Sequence, residues 1–444
     1  MSTSIAKDFK FFSLLRFALP TMVMMVFMSL YTIVDGIFIS RFLGSQALSS
    51  SNIVYPVLNL VIAVGVMFAT GGSALIAKKL GEKKEQEAKE DFSLIVLVST
   101  ILGFVIMLVG NLGIEPIVRA LGATDVLTAN CEAYLSILLY FTPACILQLL
   151  FQTFFVAAGK PQLGLILTIS GGVANVILDY LLMGPLNMGI RGAALATGMG
   201  QLIPTIAGLL YFSLSRESLH FVKPRFRGRT LTKSCSNGSS EMVTNISTAI
   251  VTYLFNIVML KFLGEDGVAA MTIVLYGQFL FNAMYMGFSM GVAPVISYNY
   301  GRNNLPLLRR IFKICIGFVV SSSIIVTLLA LLSSPYIVEI FTPRSTSTYE
   351  IAKSGFFLFS FNYLFAGVNI FASSMFTAFS DGAVSAGISF ARTFIFIVAN
   401  ILLLPKFLDV TGIWLSVPAA EFMTIFLSVY FFVTRRKKYH YTMG

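Results

Sequence analysis

Histidine, cysteine and charge are all scarce in this chain, and each shortage removes a class of chemistry. Only two histidines are present, His220 and His440, and both fall in polar segments. A histidine metal centre and a histidine proton relay inside an apolar core are therefore excluded. The four cysteines, Cys131, Cys145, Cys235 and Cys315, show no metal or redox spacing and read as small hydrophobes. No GxxxxGK[ST] stretch occurs, and no loop is long enough to fold as a nucleotide-binding domain, so direct ATP hydrolysis is excluded too. Neither a catalytic cluster nor a sizeable polar domain is present, which argues against a membrane enzyme or a receptor. No cofactor is expected, and an energy source would have to be an ion gradient acting on carboxylates.

Charged residues make up 11% of the chain and hydrophobic ones 57%, with a mean hydropathy of +0.85. A soluble domain carries about 25% charged residues, so this composition belongs to a polytopic membrane protein. A spanning helix needs roughly 20 mostly apolar residues, because unpaired backbone groups cannot face hydrocarbon. Twelve such spans are predicted, near 11–38, 50–77, 92–113, 131–158, 162–183, 191–213, 238–260, 268–298, 311–333, 354–379, 383–405 and 411–433. The first lacks a small-residue cleavage signature and is too long for a signal-peptide core, so it is expected to be retained. The net charge of +11 is distributed by the positive-inside rule rather than as a nucleic-acid surface. Most of the 31 basic residues flank one face, among them Lys78, Lys79, Lys83, Lys84, Arg225, Arg227 and Arg229, which places both termini in the cytoplasm.

Shifted by 220 residues, the second half overlays the first. Arg41-Phe42-Leu43-Gly44 meets Lys261-Phe262-Leu263-Gly264, Gly71 meets Gly291, and Gly81 meets Gly301. Six spans separate equivalent points, so both halves enter the membrane in the same sense and the substrate path is expected between them. The expected fold is an all-α integral membrane protein of twelve transmembrane helices in two pseudo-symmetric six-helix lobes. Those lobes are residues 1–213 and 237–444, joined by a basic cytoplasmic linker at 214–236.

An acidic side chain at the bilayer centre costs about 2.5–3.5 kcal/mol on insertion scales, so each one needs a reason to be there. Asp35, Asp179 and Glu421 lie inside spans, and Glu241 stands near the start of the seventh span, at the membrane surface. Asp35 lies toward the outer end of the first span. Asp179 lies toward the outer end of the fifth, with Asn175 one turn away on the same helical face. The sixth span runs back from Arg191 and puts Thr197 at similar depth. Two carboxylates, an amide and a hydroxyl make an oxygen-rich pocket suited to a hard cation such as Na⁺. The same pocket suits a proton, which two close carboxylates can share, and it suits plain hydrogen bonding between helices. Under the 220-residue shift Asp35 falls on Phe255, and with one residue of slack Asp179 falls near Asn400. The carboxylates therefore belong to the first copy alone.

Pro20 removes a hydrogen bond from the first span and permits a bend there. Arg392 and Glu421 are expected to form a structural ion pair in the second lobe. Tyr134, Gln148 and Gln152 in the fourth span and Tyr276, Gln278 and Asn282 in the eighth are candidates for a polar network lining an amphipathic cavity.

Together these features resemble a bacterial member of the multidrug and toxic compound extrusion (MATE) family. The likeness rests on the two six-helix halves, Leu19-Pro20, the paired Phe-Leu-Gly segments, Gly71-Gly72-Ser73-Ala74-Leu75-Ile76-Ala77 with Gly291-Val292-Ala293-Pro294-Val295-Ile296-Ser297, and Gly189-Ile190-Arg191-Gly192-Ala193-Ala194. It implies export of small organic, often cationic, compounds in exchange for inward Na⁺ or H⁺. It also implies a first-lobe cation site at Asp35, Asn175, Asp179 and Thr197, with Tyr134 in the surrounding network and Pro20 at a bend. Relatives with acidic residues in the middle of the seventh and tenth spans have a second-lobe ion site. Here the tenth span has no carboxylate, which puts such a site in doubt.

The expected function is thus a secondary antiporter in the bacterial inner membrane, working as a monomer by alternating access. It would have membrane lipids but no nucleic acid as partners. The alternative is a flippase for a lipid-linked precursor, disfavoured because Arg392 is the only basic residue deep in a span.

Overall fold

Apolar runs of this length fold as helices because only a helix satisfies its own backbone inside a bilayer. The computed structural model describes residues 4–442, and those residues form helices with no strand among them. The first half contains α1 (Phe11–Leu43), α2 (Ser45–Gly81), α3 (Glu85–Leu112), a short α4 (Ile114–Ala120), α5 (Asp125–Tyr140), α6 (Thr142–Ala157), α7 (Pro161–Met183) and α8 (Ile190–Leu214). The second half contains α9 (Gly228–Gly301), α10 (Leu305–Phe341), α11 (Ser347–Phe359), α12 (Tyr363–Ala378), α13 (Gly382–Phe390), α14 (Ile397–Leu403) and α15 (Pro405–Tyr439).

Twelve membrane crossings follow from these helices. Unbroken, the 74 residues of α9 would reach about 110 Å, far beyond a bilayer. The helix is interrupted at Gly264, where φ is +65° and ψ is −154°, so it supplies the seventh and eighth crossings. The fourth crossing, predicted as one helix over 131–158, is α5 and α6 bent by 52° at Phe141, next to Pro143. A 3₁₀ turn at Ser360–Asn362 interrupts the tenth, and a π-helical segment at Ala391–Phe396 lies within the eleventh. In contrast, α1 runs continuously through Pro20. The second half begins earlier than predicted, because residues 228–236 of the expected linker are already helical.

The repeat is written into the backbone as well as the sequence. Gly44 and Gly264 both take positive φ at the turn after the first crossing of each half. Lys83 and Asn303 do so after the second, and Gly189 and Asp409 before the sixth. Each pair is 220 residues apart. Glycine is the natural occupant of that conformation, and Asp409 adopts it where the first half has Gly189.

The two halves meet through α1 and α2 of the first and α9 of the second. Their closest approaches lie on the side that carries the linker. A methyl group on Gly81 would overlap the Tyr298 carbonyl, and one on Gly301 would overlap the Lys78 carbonyl. These two contacts exchange under the 220-residue shift, as a two-fold axis between the lobes requires. Gly71 lies against the Ser234 carbonyl and Gly238 against the Met67 carbonyl, two further close approaches between α2 and α9. At the opposite ends, Gly44 and Gly264 have no neighbour within 4 Å of a Cβ position.

On the linker side, Asp91 at the start of α3 ties the chain together. Its side chain is fully buried and accepts hydrogen bonds from Lys79 of α2, Arg227 of the linker and Thr230 of α9. Arg227 also pairs with Glu90 at 2.6 Å. Replacing Asp91 by alanine would remove the buried carboxylate from a cluster in which Glu87 still reaches both Lys79 and Arg227, and would leave the Thr230 hydroxyl without its acceptor. We expect a loss of about 1–3 kcal/mol, the cost of leaving buried donors unpaired, read as a lower unfolding midpoint in detergent.

Candidate functional site

Asp35 and Asp179 come together because α1 and α7 run parallel and in register. Below them Gly172 accepts Phe27 and Tyr31 against its bare backbone. Above them Phe42 packs on Gly184 and on the Tyr180 ring, with centroids 6.1 Å apart. Between these contacts the two carboxyl groups sit side by side, close enough to share a hydrogen bond when one is protonated. Asn175, one turn toward the linker side on α7, is buried beside them. Helix α8 closes the group from the other flank. Gly200 meets Asn175 and Gly192 meets Leu182, so the antiparallel register sets Thr197 level with residues 177–179. The Thr197 hydroxyl donates to the Ala193 carbonyl at 3.1 Å, which leaves its oxygen free to accept or ligate.

The hydrogen bonds of this cluster do not close. Asp35 Oδ1, both oxygens of Asp179, and both side-chain polar atoms of Asn175 are buried without a protein partner. Neither aspartate forms an ion pair with a described lysine or arginine. Buried polar groups are ordinarily paired, and a buried carboxylate without a counter-charge is very costly. The donor set is all oxygen, which fits Na⁺ or a proton shared by the two carboxyls.

Four tyrosines extend the cluster across the molecule. Tyr134 of α5 is buried and lies within electrostatic reach of both carboxylates, and Tyr31 of α1 lies similarly near Asp35. Tyr55 of α2 is near Tyr31, Tyr134 and also Tyr276 of α9, so it links the first lobe to the second. Neither Tyr31 nor Tyr55 was singled out from sequence. Tyr31 precedes Asp35 by one helical turn, a spacing that could have flagged it, whereas Tyr55 sits on another helix and carries no such signal.

The remaining candidates separate into two places. On α6, the Gln152 amide donates to Thr168 Oγ1 at 3.0 Å and faces Met28, while Gln148 Oε1 is buried without a protein partner. Both continue the polar path from the carboxylates toward the linker side. On α9, Tyr276 is half-exposed and stacks on Phe341, and Asn282 Oδ1 is buried without a protein partner. These two and Gln278 belong to the second lobe, and of the three only Tyr276 connects to the carboxylate cluster among the described residues, through Tyr55.

In the second lobe, Arg392 Nε donates to Glu421 Oε1 at 2.8 Å. The Asn369 amide donates to Glu421 Oε2 at 2.7 Å, and Ser428 donates to the Asn369 oxygen at 2.8 Å. Unlike the aspartates, Glu421 is fully partnered. Arg392 stands in the π-helical segment, a feature frequent at functional sites. Glu241, expected at the membrane surface, instead lies more than three turns into α9 and within electrostatic reach of Arg392, because α9 begins at Gly228. Phe255, the counterpart of Asp35, is fully buried, and the Asn400 amide donates to Met423 Sδ at 3.7 Å. Glu421→Ala would strand Arg392. The expected cost is about 3–5 kcal/mol, and removing Arg392 as well should restore part of it, measured by thermal unfolding of the single and double variants.

Comparison with known proteins agrees with this architecture. The MatE family profile matches the chain twice, over residues 20–181 and 242–402. Multidrug export protein MepA of Staphylococcus haemolyticus is 25% identical over 431 residues, covering 96% of this chain and 94% of the relative. A solved outward-facing multidrug resistance MATE transporter of the MOP superfamily superposes with a TM-score of 0.91 at 20% identity, covering 97% of this chain and 96% of that one. The Vibrio cholerae MATE transporter VcmN superposes with a TM-score of 0.90 at 19% identity, covering 98% and 99%. With a family profile that matches both halves and twelve crossings in two lobes, the chain belongs to the MATE family of membrane transporters.

Proposed function

We propose that this protein is a secondary antiporter that exports small organic, often cationic, compounds in exchange for inward Na⁺ or H⁺. The observation that carries the reading is the set of orphaned oxygens on Asp35, Asn175 and Asp179. A cation or proton entering there removes the repulsion between the carboxylates and draws α1 toward α7. When it leaves, the two charges push apart. Pro20 lacks the amide hydrogen that would hold α1 stiff, so α1 can bend between Pro20 and Asp35.

The arrangement is that of a transporter closed on the linker side, and the excess of basic residues puts that side in the cytoplasm with both termini. Substrate would leave through the opposite side when the cation binds. The substrate path expected between the two lobes belongs to one chain, so the protein needs no second copy to work. Its location would be the bacterial inner membrane, consistent with MepA being an export protein. Arg392 is neutralised by Glu421, which leaves a flippase of anionic lipid-linked precursors without a cationic lining.

Reconstitution into liposomes tests this reading. Accumulation of a fluorescent organic cation should follow an imposed Na⁺ gradient or an imposed proton gradient, each applied separately. Transport indifferent to both would overturn antiport.

A further inference from the structure

Where α2 ends and α3 begins, the linker and the first turns of α9 fold back and enclose a groove of about 620 Å³ on the linker side. Lys79 and Lys84 line it from the first lobe, and Arg225, Arg229 and Lys233 line it from the linker and the second lobe. Some of this charge is already answered. Lys79 pairs with Glu87 and Asp91, and Lys84 pairs with Glu82 at 2.9 Å. Arg225, Arg229 and Lys233 make no ion pair among the described residues, yet all three converge on one groove. Lys233 and Lys84 also crowd the nearby Lys78 with like charge. A topology signal requires only that basic residues stay on one side of the membrane. It does not require them to face one another across a cavity, where their mutual repulsion is greatest.

The rim carries a second feature that charge alone does not explain. Phe226, between two arginines, is 78% exposed. Leu75 of α2 forms an apolar part of the groove wall. Leu75 lies inside the second predicted span, 50–77, and Lys79 and Lys84 lie just beyond its end, so an anionic group bound here would sit at headgroup level with hydrocarbon close by. An exposed aromatic beside clustered arginines suits a molecule with a phosphate at one end and an acyl chain at the other.

We infer that this groove binds an anionic glycerophospholipid, with its phosphate held by Arg225, Arg229 and Lys233 and its acyl chain along Phe226 and Leu75. Because the groove is built from both lobes, the bound lipid braces them together. It lies beside the Gly71–Ser234 and Gly238–Met67 approaches that must separate when the linker side opens. The lipid therefore favours the arrangement in which that side is closed, and by linkage closure favours the lipid. The inference rests on the membrane placement of the fold and not on which ion drives transport.

The test is native mass spectrometry of the intact protein with phosphatidylglycerol or phosphatidylcholine, alongside thermal unfolding with the same lipids, inorganic phosphate or ATP. Phosphatidylglycerol should be retained in preference to phosphatidylcholine. The triple variant Arg225→Gln/Arg229→Gln/Lys233→Gln should bind it at least about tenfold more weakly while unfolding at the lipid-free wild-type temperature. A control with equal charge loss outside the groove, Lys7→Gln/Arg216→Gln/Lys223→Gln, should bind as wild type does. Equal retention by wild type and the groove variant, or equal loss in the control, would overturn the site. Stabilisation by phosphate or ATP matching that by phosphatidylglycerol would make it a free-phosphate site and overturn the lipid.

Discussion

Replacing Asp179 by asparagine is expected to abolish ion-driven export while leaving the protein folded in the membrane. The substitution keeps the shape and the hydrogen-bonding capacity of the side chain and removes only its charge. In the structure Asp179 is fully buried, both its oxygens lack protein partners, and Asp35 is its nearest acidic neighbour. Removing its charge therefore relieves repulsion and should not destabilise the fold. In the proposed antiport, what is lost is the change in charge on which coupling depends. Asp35→Asn should give the same result, and the double variant should be no worse than either single one, because the two carboxyls act as one unit. Efflux from reconstituted vesicles, paired with an unfolding curve for each variant, checks both halves of this expectation. Retained gradient-driven export in both single variants would remove the carboxylates from the coupling step.

The second large effect is expected far from that cluster, at the glycines where the lobes touch. Gly81→Ala puts a methyl group onto the Tyr298 carbonyl, and Gly301→Ala puts one onto the Lys78 carbonyl. Overpacking of this kind costs about 1–3 kcal/mol, and here the cost falls only on the arrangement closed at the linker side. Each variant should shift the population toward a linker-side-open form and slow export. The pseudo-two-fold relation between these contacts makes a sharper demand, that the two variants be similarly impaired. Gly317→Ala supplies the control, since a Cβ there meets nothing within 4 Å. Labelling of an introduced linker-side cysteine reads the shift. Unchanged labelling in both interface variants would mean that these contacts do not gate the path.

Much of the scaffold could be read from the chain because membranes leave few alternatives. Twelve apolar runs had to be helices, and the paired Phe-Leu-Gly segments located turns whose glycines take positive φ at Gly44 and Gly264. The interruptions were harder to see. The bend at Phe141 follows from Pro143 only once α5 and α6 are packed, and nothing in Ala391–Phe396 announces a π-helical turn. At the site, Asp35, Asn175 and Asp179 were visible because charge and amide are rare in apolar spans. Tyr31 and Tyr55 were not, since tyrosine is common at membrane depth and only the tertiary fold brings Tyr55 to its partners. Glu241 was misplaced for a plain reason: its depth depends on where α9 starts, and polar residues 228–236 concealed an early start.

The central claim is that the Asp35–Asp179 pair holds the coupling ion. Isothermal titration of the purified protein with Na⁺ at several pH values tests it most directly, because the heat and the protons released report on the same carboxyl groups. The account predicts a single saturable exchange, with Na⁺ binding or proton uptake present in the wild type and absent in Asp179→Asn. Undiminished ion binding and proton exchange in that variant would contradict it.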